Sequence, residues 1–185
     1  AIPMTFYVII LVALAFPLGG YIGKVMNGEP VFLSRILKPA EQWIYRLLHV
    51  DAGEQMSWKK YALCTVVFSV FCLIGLMGMQ MIQQFLPGNP ENLPNPSWHL
   101  AFNTAASFMT NTNWQAYSGE STLSYFTQMM GLTVQNFVSP AVGIAVLFVL
   151  IRGFVQVRKE GLGSFWTDVT RILLYILIPL SVVLT

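Results

Sequence analysis

Residues 110–115, TNTNWQ, carry short hydroxyl and amide side chains without a charge, a combination suited to binding a monovalent cation by neutral dipoles. Backbone carbonyls of an extended polar segment can replace part of an ion's water shell. Thr110, Asn111, Thr112, Asn113 and Gln115 are short or polar enough to brace such a backbone by hydrogen bonds. Because the ligands are neutral, the ion can also leave again. Glu120 is the one acidic residue in the turn that follows. It either draws cations to the mouth of a site or favours the N-terminus of the next helix. Trp114, Tyr117 and Tyr125 suit a membrane interface or packing behind the segment.

Other chemistries find no residues. His49 and His99 fall in different loops, and no Cys/His cluster has zinc-ligand spacing. Cys64 and Cys72 lie on one expected helix, about 12 Å apart along its axis and too far for a disulfide. There is no G-x-x-x-x-G-K-S/T loop and no D-K-T-G phosphorylation motif, so ATP hydrolysis is not expected on this chain. No apolar block sets a His or carboxylate beside a Ser or Cys, which leaves a hydrolase without a nucleophile and its base. Neither a catalytic residue nor an organic cofactor is expected.

The elements that must hold the polar run are membrane helices. With 55% hydrophobic and 10% charged residues, the chain is too apolar for a soluble domain of its length. A hydrocarbon core of ~30 Å needs ~20 helical residues. Three apolar blocks reach that length, at residues 2–22, 61–82 and 132–151, and only as helices can they satisfy their backbone in lipid. A fourth block begins at Ile172 and reads as the start of a further span, too short to cross as it stands. The first block lacks the basic n-region and short apolar core of a signal peptide. The expected fold is an all-α polytopic membrane protein.

Charge sets the orientation. The ten basic residues form two groups: Lys24, Arg35, Lys38, Arg46, Lys59 and Lys60, then Arg152, Arg158, Lys159 and Arg171. Basic residues near span ends accumulate on the cytoplasmic side, so both groups belong inside. The N-terminus and residues 83–130 are then outside. These positions are explained by topology rather than by a phosphate-binding patch, and no nucleic-acid partner is expected. In the first inner loop, AEQWIYRLLHV puts Trp43, Ile44, Leu47 and Leu48 on one helical face, with Glu41, Gln42 and Arg46 elsewhere on the surface. An interfacial helix and a helix packed on the protein body both fit this pattern.

Just before the polar run, WHLAFNTAASFM reads as a helix over residues 98–109 with Ser97 as N-cap. Twelve residues rise only ~18 Å, too little to cross, so the segment either enters the membrane and returns or belongs to an ordinary external loop. A re-entrant loop is allowed where protein or a water-filled cavity surrounds it. Its short helix would aim the negative end of its dipole at the polar run and favour a cation. In the third span, Thr133, Gln135, Asn136, Ser139, Pro140 and Gly143 share one polar or small face. Such a face belongs inside a bundle, lining a cavity or glueing helices together, and Asn136 is its candidate pore-facing residue.

At these residues, NTAASFMTNTNWQAYSGESTLSYFTQMMGLTVQNFVSPAVGIAVLFVLIRGF and the preceding LPGNPENLPNPSWHL, the sequence closely resembles the potassium-binding A subunit of the Kdp-type potassium-transporting ATPases of prokaryotes. The resemblance covers essentially the whole chain and about the first third of a family member. It implies a fold of span, pore-loop, span repeats as in the Trk/Ktr/HKT potassium transporters. Residues 1–23 would be an extra first span, 24–60 a cytoplasmic loop with an amphipathic helix, 61–151 the first repeat, 152–171 a cytoplasmic loop, and 172–185 the truncated start of a further span. By the same resemblance, Thr110, Asn111, Thr112 and Asn113 form the first strand of a selectivity filter for K+, with Trp114 and Gln115 just beyond and Glu120 at the outer rim. The strand lacks the glycine of the T-V-G-Y-G filters of tetrameric channels.

The implied function is to bind extracellular K+ and pass it to a P-type ATPase subunit (KdpB-like) that hydrolyses ATP. Two further small subunits (KdpC-like and KdpF-like) complete the complex in the prokaryotic inner membrane. The alternatives are a pore-loop channel or transporter subunit working without ATP, and a non-conducting membrane scaffold. The lipid bilayer is a partner in every case.

Overall fold

The computed structural model of the chain describes residues 2–155 and 161–184; Arg158 and Lys159 of the second basic group lie outside the described residues. The elements are α1 (Ile2–Met26), α2 (Ser34–Leu48), α3 (Trp58–Met81), a 3-10 turn (Gln83–Phe85), α4 (Trp98–Met109), α5 (Gly119–Thr122), a π-helical stretch (Thr127–Thr133) running into α6 (Val134–Val155), and α7 (Phe165–Arg171), which continues through a second π-helical stretch (Ile172–Leu177) into α8 (Ile178–Leu184). No strand occurs among the described residues. Among the described residues four helices are long and apolar enough to cross a membrane: Met4–Met26, Trp58–Met81, Thr127–Val155 and Phe165–Leu184. The chain is an all-α polytopic membrane protein.

The fourth of these helices starts at Phe165, ahead of the expected Ile172, and its 20 residues are enough to span. Hydropathy alone starts the block at Ile172 because Asp168 and Arg171 count as loop residues. In the fold Asp168 is only 2% exposed and Val169 and Phe165 are buried beside it, so protein contacts, not lipid, surround these charges.

The described chain forms two compact units, one of α1, α2 and the fourth helix from Trp166 onward, the other running from Gly53 to Phe165. In the first unit most α1 side chains, among them Phe6, Ile9 and Phe16, are exposed, as lipid-facing residues of a spanning helix are. Pro179 has no N–H for the Tyr175 carbonyl four residues back. The Tyr21 hydroxyl donates to that carbonyl instead, at 2.8 Å. On α2, Trp43, Leu47 and Leu48 are exposed and Ile44 is partly so, whereas Glu41 is buried rather than on the surface. Its Oε1 accepts from the Tyr45 hydroxyl at 2.7 Å and from Arg171 Nε at 3.0 Å, and its Oε2 from the Tyr175 hydroxyl at 2.8 Å. Burial pushes the Glu41 pKa up, but these three donors and the Arg171 charge prevail and hold it below the ordinary value.

The second unit carries the polar run. Ser57 caps α3, and the fully buried Phe165 ring meets Tyr61 edge-on at 5.5 Å and Phe68 at 5.6 Å. The Tyr61 hydroxyl donates to the Ala145 carbonyl of α6 at 3.3 Å. Two backbone bonds close the ends of the unit, Met56 N to Gly163 O at 3.0 Å and Leu162 N to Met56 O at 2.9 Å.

Candidate functional site

The short helix α4 occupies the expected residues Trp98–Met109, and Ser97 accepts from Leu100 N as its N-cap. Of its five buried residues, Ala101, Thr104, Ala105 and Phe108 recur at the i, i+3, i+4, i+7 spacing of a single helical face, with Ser107 buried beside them. That face enters a core of Leu76 from α3, Leu123, and Leu132 from the first π-helical stretch, against which Leu73, Met77 and Tyr117 also pack. Alanines at the contact let the backbones approach closely, as membrane helices do. Gly131 is tighter still, since a Cβ there would stand 2.8 Å from Leu76 Cδ1 and 3.1 Å from Met79 Sδ. From α3, the fully buried Gln80 amide donates to the Leu76 carbonyl at 3.1 Å and to the Ala101 carbonyl of α4 at 3.2 Å.

Beyond α4 the polar run folds back rather than extending. Thr110 N donates to Ala106 O at 3.0 Å and Asn111 N to Phe108 O at 3.2 Å, while Thr112 N and Asn113 N converge on Ser107 O at 2.9 and 3.2 Å. The Thr110 hydroxyl lies 2.9 Å from Ala106 O, 3.2 Å from Ser107 O and 2.9 Å from the Thr112 hydroxyl. The expected extended strand is therefore replaced by a cap on the helix C-terminus, made possible by Asn111 and Asn113 at φ 59° and 57°. Asparagine tolerates this left-handed region better than other side chains.

This arrangement uses up the donors of the run and not its acceptors. The amides of residues 110–113 all point back at α4, and among the described residues no hydrogen bond is made to the carbonyl oxygens of Thr110, Asn111, Thr112 or Asn113. All four residues are exposed. The same capping covers the terminal carbonyls at Ala106, Ser107 and Phe108, so they do not present the bare negative end of the helix. What the run offers a cation is its own carbonyls and side-chain oxygens.

The third span reaches the run through Ser139 of α6, whose hydroxyl lies 3.3 Å from Asn111 Oδ1 and 2.9 Å from Gln135 O. A serine has one proton, so both contacts are satisfied together when the Asn111 amide nitrogen, rather than its oxygen, faces the hydroxyl. Of the expected polar face, Gln135 and Ser139 are buried and Thr133, Asn136 and Gly143 exposed. Among the described residues no hydrogen bond joins Asn136 to the run, but Pro140 has no N–H to give the Asn136 carbonyl four residues back. Trp114 and Gln115 are exposed just past the turn. Glu120 sits in the first turn of α5, where its carboxylate accepts from the Ser118 hydroxyl at 2.8 Å. A backbone N–H and that hydroxyl lower its pKa.

The frame behind the run rests on residues that motif reading passes over. Gln83, fully buried, donates to Pro94 O at 2.7 Å and Thr122 O at 2.9 Å and accepts from Ser124 N at 3.1 Å. The Gln128 amide donates to Gly119 O at 3.2 Å and Leu123 O at 2.8 Å. Ser124 and Thr127, both buried, share a hydroxyl contact of 3.0 Å at the start of the π-helical stretch. The sequence signal for Gln80 and Gln83 is an amide at the end of an apolar span beside a Pro/Gly/Asn turn. An uncharged amide there bridges backbone carbonyls that no helix can satisfy.

Residues 5–185 match the family described as KdpA, potassium-transporting ATPase A subunit. The chain is similar to a protein of Clostridium botulinum named potassium-transporting ATPase potassium-binding subunit, 64% identical over 179 residues, which are 97% of this chain and 31% of that protein. Proteins of the same name from Desulfovibrio desulfuricans and Listeria welshimeri are 60% and 57% identical, again over 97% of this chain and over 31% and 32% of their own lengths. The chain spans about a third of the length of the curated relatives it matches.

Proposed function

Since this chain belongs to the potassium-transporting ATPase A subunit family, we propose that it supplies one wall of a K+ filter in an ATP-driven uptake pump. Thr110, Asn111, Thr112 and Asn113 bind extracellular K+, Trp114, Gln115 and Glu120 form the outer rim, and Asn136 lines the path beyond. The observation that carries this reading is the run's division of labour, with its amides capping α4 and its four carbonyls left free on an exposed, uncharged turn. Free carbonyls are the groups with which filters replace the water shell of a monovalent ion.

On this reading residues 61–151 are one span, pore-loop, span repeat, with the N-terminus and the loop outside the cell membrane and residues 24–60 inside. One loop is one side of a filter, so further repeats complete the ring. A P-type ATPase subunit hydrolyses ATP and receives the ion, two further small subunits complete the complex, and K+ is cargo with no organic cofactor involved.

The test uses the assembled complex. A ligand that binds only the folded state stabilises it by RT ln(1 + [L]/Kd), about 2.7 kcal/mol at a hundredfold excess over Kd. K+ is expected to raise the unfolding temperature where Na+ at equal concentration does not, and Asn113→Ala and Gln115→Arg to weaken the K+ response. Equal protection by both ions, with K+ affinity unchanged in both variants, would exclude the filter.

A further inference from the structure

The helix α2 has one face for protein and another for something else. At about 100° per residue, Ser34, Glu41 and Tyr45 share one side, where Glu41 meets Arg171 and Tyr175 of the fourth helix. Ile36, Trp43 and Leu47 share the opposite side and are exposed by 73%, 63% and 59%. Arg35 and Arg46 stand together along one edge of that apolar stripe, both exposed. Neither forms an ion pair among the described residues. The only carboxylate of α2 is Glu41, buried and matched by Arg171, so the exposed charge of the helix is wholly positive.

Two connections fix where the stripe lies. Residues 27–33 alone join α2 to the spanning helix α1, and the Glu41 bonds tie it to the spanning helix Phe165–Leu184. A helix tethered this closely to two spans is held where hydrocarbon gives way to water. An apolar stripe centred on a tryptophan and edged with arginines suits that boundary. A protein covering the stripe would have to match two guanidinium groups with carboxylates beside a buried Trp43, whereas the phosphates of a lipid surface neutralise them wherever they lie.

We propose that α2 lies in the plane of the membrane interface, with Ile36, Trp43 and Leu47 seated at the acyl boundary and Arg35 and Arg46 on the phosphates of anionic lipids. This concerns the seating of the subunit and stands apart from the potassium reading. The full-length subunit in its complex is reconstituted into phosphatidylcholine brominated along the acyl chains near the headgroup, with or without phosphatidylglycerol. The emission removed by Trp43→Phe isolates Trp43, and Leu47→Trp, read as added emission, reports the same stripe independently. Both signals are expected to lose most of their intensity in brominated lipid, and more of it when phosphatidylglycerol is present. Arg35→Gln with Arg46→Gln is expected to remove the phosphatidylglycerol effect without lowering the unfolding temperature. Emission untouched by bromine overturns the proposal, whether aqueous acrylamide reaches it, meaning water, or does not, meaning a protein partner. Quenching indifferent to phosphatidylglycerol, or to the two arginines, overturns the headgroup assignment.

Discussion

Asn111 and Asn113 hold the left-handed conformation that glycine supplies at many tight turns, and they add an amide that glycine lacks. The substitution series at position 113 therefore separates backbone from side chain. Asn113→Gly removes the amide but keeps the turn, while Asn113→Val forces a β-branched residue into a region costing it roughly 1–2 kcal/mol. In K+ titrations of the complex, Asn113→Val is expected to weaken binding about tenfold, with Asn113→Gly closer to the native chain. The reverse order would assign the affinity to the amide itself. Ser139 acts through Asn111. Ser139→Ala deletes one hydrogen bond worth about 1 kcal/mol, and the expected result is a several-fold rise in the K+ dissociation constant with little change in unfolding temperature measured without K+. A fall in stability with unchanged K+ affinity would reduce the serine to packing.

Among the elements, α4 was legible in full because its signals are local. Ser97 caps it, a Pro/Asn stretch precedes it, and its length cannot span. The turn after it was not legible as a turn, since TNTN has the composition of an extended strand as much as of a cap. What decides between them is the Ser107 carbonyl collecting two amides, and nothing in residue type announces that. The partners in the frame of Gln80 and Gln83 were not legible either, because these amides bond backbone far away in sequence, 21 residues for Gln80 and up to 41 for Gln83. Gln83→Leu keeps the volume but strands Pro94 O, Thr122 O and Ser124 N in a buried place. At about 1–3 kcal/mol per orphaned group, it is expected to lower the unfolding temperature of the complex markedly and to weaken K+ binding along with it. Retention of native stability would show that water replaces the amide there.

For the molecule as a whole, composition revealed the membrane class and three of the four spanning helices, and hydropathy missed the start of the fourth because protein contacts surround Asp168 and Arg171. The same contacts explain the misplaced Glu41, whose partners Arg171 and Tyr175 lie 130 and 134 residues away. That cluster makes stability depend on pH. Because the folded Glu41 pKa lies below its ordinary value of 4.5, its contribution is complete above about that pH and fades as the pH falls through the lower folded value. In thermal unfolding of the complex, the native chain is expected to exceed Glu41→Gln in stability at neutral pH, and the gap to narrow in acid. A gap that stays constant down to acid pH would mean that the charge of Glu41 contributes nothing.

The hydroxyl of Tyr21 and the carbonyl of Tyr175 emerge from the ribosome 154 residues apart. Pro179 removes the ordinary donor to that carbonyl, and the core of a bilayer holds no water to take its place. The fourth span is thus a poor guest of the lipid by itself and a good one beside α1. A side chain of one helix thereby mends the ladder of another, and the two lodge better in lipid as a pair than singly.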